Sequence, residues 1–136
     1  MTKKLIAVLN KKIPVGKIMN ALAHMALGLG ASVEKEKLKF VTYIDASSEI
    51  HDAISYFPFI ILEADNSSQI RSLRERVKEA NLIHTTFTDT MTVGTTEEQI
   101  EKTEKTQEQD LEYYGLAFFG EKEEIQLLTK KFSLWR

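Results

Sequence analysis

No cysteine occurs anywhere in the 136 residues. That excludes a disulfide framework, a thiolate nucleophile and Cys-ligated zinc, and it is compatible with a reducing compartment. Long hydrophobic runs are also missing. Leu5 to Leu9 and Phe57 to Leu62 are the longest, far short of the roughly 20 residues that span a bilayer, so no membrane partner is expected. Met1 to Lys4 leads into too short an apolar stretch for a signal peptide, and the expected location is cytoplasmic. Charge of one sign does not dominate either, the formal net being −2. Its distribution is uneven: Glu97 to Glu112 holds seven acids against Lys102 and Lys105, a net of −5, so the remainder carries +3. A chain of this length is expected to form a single domain, residues 1–136, with one core.

What the chain does have is Gly16 to Ala31, GKIMNALAHMALGLGA, where one lysine, one asparagine and one histidine sit among small and aliphatic residues. At about 100° per residue, Lys17, Asn20, His24, Gly28 and Ala31 fall within an arc of roughly 80°, opposite Ile18, Leu22, Met25 and Leu29. So apolar a helix is expected to be interior, its polar stripe either satisfied inside or lining a cleft. Lysine could hold an anion or a developing oxyanion, asparagine could orient, and histidine could move a proton. The plainer alternative has His24 bonding a backbone carbonyl, Asn20 capping a loop and Lys17 reaching water.

The remaining pattern alternates strands and helices. Leu5 to Leu9 reads as a central strand buried on both faces, followed by a Pro14 loop, and Gly28 and Gly30 close the first helix. Phe40 to Asp45 and Phe57 to Glu63 read as strands, forming a decorated hairpin around the polar turn Ala46 to Asp52, with Pro58 at a strand start. Gln69 to Ala80 has helical spacing behind an N-cap at Asn66, Ser67 or Ser68. Leu82 to Phe87 is a strand with Asp89 just past its end, a favoured ligand location in α/β sheets. Thr95 to Asp110 is a solvated helix or a mobile segment, with capping-box spacing at Thr96 and Gln99 and Ile100 as its apolar anchor. Leu116 to Phe119 is a strand broken by Gly120, a helix follows over about Glu121 to Lys130, and Phe132 to Trp135 is a final short strand. The expected architecture is a three-layer α/β/α sandwich with a mixed central β-sheet.

Other constellations carry less. The P-loop pattern is absent, since position 11 is lysine and Ile18 follows Lys17. Asp45, Glu49, His51 and Asp52, with His24 and His84, lack metal-ligand spacing and read as polar loop residues, so no metal and no cofactor is expected. Asp89, amid Thr85, Thr86, Thr88, Thr90 and Thr92, could act on something bound at His24 or could bond its own turn. Lys11 with Lys12, Arg71 to Lys78, and Lys130 with Lys131 would make a phosphate-binding face only if folded together.

Gly16-Lys17-Ile18, then His24 followed by small and apolar residues, resembles the glycine-lysine-to-histidine helix of peptidyl-tRNA hydrolase type 2. The strand and helix order, with an aspartate after the third strand, resembles that enzyme over most of the chain, and still more an uncharacterised bacterial family sharing its fold. The resemblance implies Lys17, His24 and Asp89 as positions of the active region, with Thr92 a looser match, and hydrolysis of the ester between a peptide and tRNA. The enzyme reading takes Lys17, His24 and Asp89 as catalytic and Gly16, Asn20 and Thr92 as ligand-binding, acting on an ester or amide of a small-molecule or tRNA-linked substrate. Ala21 in place of glutamine, Thr90-Met91 in place of Ala-Gly, the acidic segment and the Phe40 to Pro58 insertion depart from the pattern. A non-catalytic ligand- or protein-binding module is the alternative. A homodimer is also expected, and a third reading gives it a mainly structural role, with apolar surface between subunits.

Overall fold

A computed structural model describes residues 2–136. In chain order it contains β1 (Lys3–Asn10), α1 (Val15–Ser32), a short α2 (Lys35–Leu38), β2 (Phe40–Ile44), β3 (Ile50–Ser55), β4 (Phe59–Ala64) and α3 (Ser67–Glu79). There follow β5 (His84–Thr88), α4 (Thr96–Glu104), β6 (Tyr113–Glu121), α5 (Lys122–Thr129) and β7 (Ser133–Leu134). β1 pairs parallel with β4 and antiparallel with β6, while β5 and β7 close the edges antiparallel in the order β5-β6-β1-β4-β7. The protein is therefore α/β with a mixed sheet, as its sequence implies. No helix among the described residues is long and apolar enough to cross a membrane.

The continuous apolar run of β1 is explained by cover on both sides. Leu5, Ala7 and Leu9 pack with Ile18, Ala21, Met25 and Leu29 of α1. Ile6 and Val8 face the other way, into Ile70, Leu73 and Val77 of α3 and Ile125 of α5. Helices thus cover the sheet from both sides. α1 comes close enough over β6 that a Cβ on Gly115 would lie 2.6 Å from the Met25 methyl carbon. α3 starts where its sequence places it, the Asn66 side chain accepting from the Gln69 amide.

Several local readings are corrected. α1 is a surface helix, with Val15, Met19 and Leu27 exposed on its outer side, because a single sheet contact can cover only one stripe. It also runs through Gly28 and Gly30 to Ser32, since a glycine ends a helix only when the backbone takes the left-handed turn, and neither does. β2 pairs with β3 and not with the Phe57 to Glu63 strand, so part of the polar Ala46 to Asp52 stretch is strand. The turn is tightened by Asp45, whose carboxylate accepts from the amides of Ser47 and Glu49 and pairs with His51. The hydrogen bond with His51, together with those from the Glu49 and Ser47 amides, lowers the Asp45 carboxyl below its ordinary range. Gly120 does not break β6 but pairs with Lys4. Thr95 to Asp110 contains a formed helix whose capping box uses Thr95 and Glu98, one residue earlier than expected, and Ile100 points outward.

Candidate functional site

α1, the edge strand β5, the turn after it and α4 together line a cleft of about 480 Å³. Asn20, His24 and Met25 line it from α1; Thr85, Thr86 and Phe87 from β5; Met91 and Thr92 from the turn after β5; and Thr96 and Gln99 from α4. The i, i+4 relation of Asn20 and His24 puts both on this wall. Phe87 is the floor: its ring stacks on His24 at 5.9 Å and packs against Tyr114 at 5.8 Å. Burial, with Glu112 and Asp89 nearby, pushes the Tyr114 phenol above its ordinary value. The His24 ring is therefore held by stacking and not by hydrogen bonds, since neither of its nitrogens has a partner among the described residues.

The hydroxyls around the cleft are partly committed. Thr85 donates to the Met25 carbonyl, which ties β5 to α1 where Gly28 also approaches the Thr85 methyl, and Thr92 donates to the Asp89 carbonyl. Thr103 of α4 donates to Thr90, whose hydroxyl shares a hydrogen bond with Thr88. The threonine run is thus the joint between β5 and α4. Further along, the Glu108 carboxylate accepts from Tyr113 at 2.7 Å and from Arg71 Nε at 3.1 Å. Both donors draw the Glu108 carboxyl down, and burial pushes the Tyr113 phenol up to about 12. The acidic segment is thus held at Thr103 and again at Glu108, and α4 forms a wall of the cleft.

The expected site residues do not all meet. His24, Asn20 and Thr92 line one cavity, whereas Lys17, two helical turns before His24, lies outside the lining, as does Gly16. Asp89 is turned to the backbone: its Oδ1 accepts from the Glu112 amide at 3.0 Å and its own amide donates to the Glu112 carbonyl. That clasp accounts for an aspartate after the strand without chemistry. Thr86, Phe87, Thr96 and Gln99 were not singled out as lining. The strand alternation of β5 carried a signal for Thr86, but nothing in the polar 95–110 stretch indicates that Thr96 and Gln99 turn inward. The basic residues disperse as well. Arg71 is spent on Glu108 and Lys11 on Asp65, whose pairing holds the Asp65 carboxyl low. Arg76 and Lys131 share a second cavity, of about 290 Å³, with Ser68 and Ser72. Among the described residues no group of three His, Asp or Glu side chains is arranged to hold a metal ion.

A family model described as "Protein of unknown function (DUF2000)" matches residues 3–136. Among solved structures, one described as a protein of unknown function from Agrobacterium tumefaciens strain C58 matches with a TM-score of 0.84 at 16% identity, covering 100% of this chain and 99% of that one. At that identity the likeness is one of fold. No curated protein matches the chain.

Proposed function

We propose that this chain, which belongs to the DUF2000 family, is a peptidyl-tRNA hydrolase type 2-like protein that hydrolyses a small ester or amide in the His24 cleft. The observation that carries the reading is His24 itself, an imidazole whose nitrogens have no hydrogen-bond partner among the described residues, stacked on Phe87 in the wall of a 480 Å³ cleft. His24 takes a proton from water as the water oxygen adds to the carbonyl carbon. The Asn20 amide, one turn away, donates to the resulting oxyanion. Collapse of that adduct breaks the ester or amide bond, and the imidazolium returns its proton to the leaving oxygen or nitrogen. Lys17 contributes positive potential beyond the lining, and Asp89 positions the Thr92 turn.

The substrate is small and not tRNA-linked, because the segment that walls the cleft carries a net of −5 between Glu97 and Glu112 and opposes a polyanion. A second reading, a binding module without turnover, is favoured by one feature: His24 is the only titratable side chain in the lining. The test is turnover of a panel of short-chain esters, acyl amides and a peptidyl-tRNA, with His24→Ala and Asn20→Ala alongside. The hydrolase reading expects kcat/KM on a small ester to fall about 10² to 10⁴-fold in His24→Ala. Equal turnover in the variant refutes it, and a ligand retained by the cleft but recovered intact supports the binding module.

A further inference from the structure

We propose that the cavity of about 290 Å³ between α3 and the turn after α5 binds a small organic phosphate monoester. α3 and α5 share one core cluster through Ile70, Leu73, Val77 and Ile125, on the side of the sheet opposite α1. The cavity is therefore separate from the His24 cleft. Ser68, Ser72 and Arg76 recur every fourth residue and fall within an arc of about 80° on one flank of α3. Lys131 and Phe132 reach the same cavity from the end of α5, where the Phe132 amide donates to the Thr129 carbonyl at 3.0 Å and the ring packs on the core. Two basic stretches distant in sequence thus meet at one point.

Charge and hydrogen bonding identify the ligand. Arg76 and Lys131 have no carboxylate partner among the described residues, whereas Arg71, Arg74 and Lys78 of the same helix each have one. No Asp or Glu lines the cavity. Asp65, next in the chain to the lining residue Asn66, is paired with Lys11 at 2.8 Å. Like charges on one small cavity repel, and a bound anion removes that repulsion. The Ser68 and Ser72 hydroxyls make no hydrogen bond to a described residue, while their neighbours are committed: Ser67 Oγ accepts from the Tyr113 amide and Asn66 Oδ1 from the Gln69 amide. The donors left for a ligand are side chains.

Two cations and two hydroxyls, arriving from two elements, match a dianion whose acceptor oxygens point in several directions. A phosphate monoester has three such oxygens and carries about −1.5 to −2 near neutral pH. A carboxylate carries one charge and two coplanar oxygens, which leaves one cation unmatched. Phe132 supplies an apolar wall beside the cations, against which the esterified group packs. The volume lies at the lower end of the ~300–1,000 Å³ of small-molecule sites, which sets the size of that group.

Titration of the isotope-labelled protein with phenyl phosphate at about 0.15 M salt, followed by amide chemical shifts, tests this, with inorganic phosphate and acetate alongside. Phenyl phosphate is expected to saturate with a Kd of about 1 mM or tighter, its shifts centred on Ser68, Ser72, Arg76 and Phe132. Inorganic phosphate binds there more weakly, having nothing to place on Phe132, and acetate more weakly again. Arg76→Gln raises the Kd at least ~10-fold and Lys131→Gln at least ~3-fold, and the same spectra report that each variant is folded. Lys131 is exposed, so its replacement leaves the fold intact. Lys78→Gln, on the same helix but paired with Glu75, changes the Kd less than ~2-fold, which separates a built site from general attraction to a basic surface. No saturation by about 20 mM phenyl phosphate, or a Kd unchanged when Arg76 and Lys131 are both replaced, overturns the proposal. Acetate or inorganic phosphate binding as tightly as phenyl phosphate overturns the monoester assignment, and a loss in Lys78→Gln equal to that in Arg76→Gln overturns the site.

Discussion

Asp89 separates a positioning role from a chemical one, and two substitutions resolve it. Its carboxylate accepts from the Glu112 amide and its amide donates to the Glu112 carbonyl, both at 3.0 Å. This clasp joins the end of β5 to the start of β6, just beyond the register shift between Phe87 and Thr88. A backbone amide bonded to a carboxylate contributes about 1.5–3 kcal/mol when buried; Asp89 is half-buried, so Asp89→Ala is expected to cost about 1–2 kcal/mol. Asp89→Asn keeps a carbonyl oxygen where Oδ1 stands and loses only the charge-assisted part, about half. Its cost is therefore roughly 0.5–1 kcal/mol. At this chain length each kcal/mol moves Tm by about 3–5 °C, so the two variants melt in the order wild type, Asp89→Asn, Asp89→Ala. The urea midpoint of each, measured beside turnover or ligand retention in the cleft, completes the test. Asp89→Asn is expected to keep cleft function within about threefold, whereas a carboxylate that takes a proton would cost 10² or more on amidation. Wild-type stability with abolished turnover in Asp89→Asn refutes the positioning role.

Gly115→Ala is expected to destabilise by about 1–3 kcal/mol, read as a lower urea midpoint. The new methyl would stand 2.6 Å from Met25 Cε, 2.9 Å from Leu9 Cδ2 and 3.2 Å from the Val8 carbonyl oxygen, and Met25 and Leu9 are packed in the core. For Tyr113 the folded phenol titrates at about 12 against an ordinary 10, so its stabilisation is complete below pH 10 and lost as pH rises toward 12. Two units correspond to about 2–3 kcal/mol, and the difference between wild type and Tyr113→Phe in unfolding free energy between pH 9 and 12 should show that loss. Glu108 has the opposite sign. Its depressed carboxyl stabilises above the ordinary carboxylate range and releases Arg71 as pH falls through its folded value, so acid should weaken the hold of the 108–112 turn on α3, seen as faster amide exchange there.

The alternation of the sheet was readable because β1, β4 and β6 are apolar enough to be strands wherever they pair. Pairing partners were less readable. β2 could have met either of two following strands, and what selected β3 was the Asp45 turn, in which one carboxylate satisfies two amides and His51. From sequence, Asp45, Glu49 and His51 look like loop residues, because nothing local distinguishes a hairpin turn held by side chains from a polar loop. The Gly120 misreading has a similar origin. A strand glycine reads as a break, but here its missing side chain admits Leu82, whose methyl carbons lie 3.1 and 3.3 Å from where a Cβ would be.

The candidate site was half legible for a related reason. Helical spacing fixes which side chains share a face, so Asn20 and His24 emerged together; it does not say where along the helix the cover ends. Lys17 shares their arc yet lies two turns toward the amino end, about 10 Å from His24, and the cleft does not extend that far. The same limit explains the misplaced burial of α1. Its sixteen residues from Ile18 to Val33 carry no fixed charge, and a helix of that composition is read as interior. The sheet occupies only the side bearing Ile18, Ala21, Met25 and Leu29, leaving the apolar side of Met19, Ala23 and Leu27 without a partner in its own chain. A solvent-facing helix gains nothing from leucine and methionine in place of lysine and glutamate, whose helix propensities are comparable. The absence of charge that makes α1 look buried is therefore accounted for on its sheet-facing side alone: composition along a helix gives how much apolar surface it carries, and the extent of the sheet decides how much of that surface is covered.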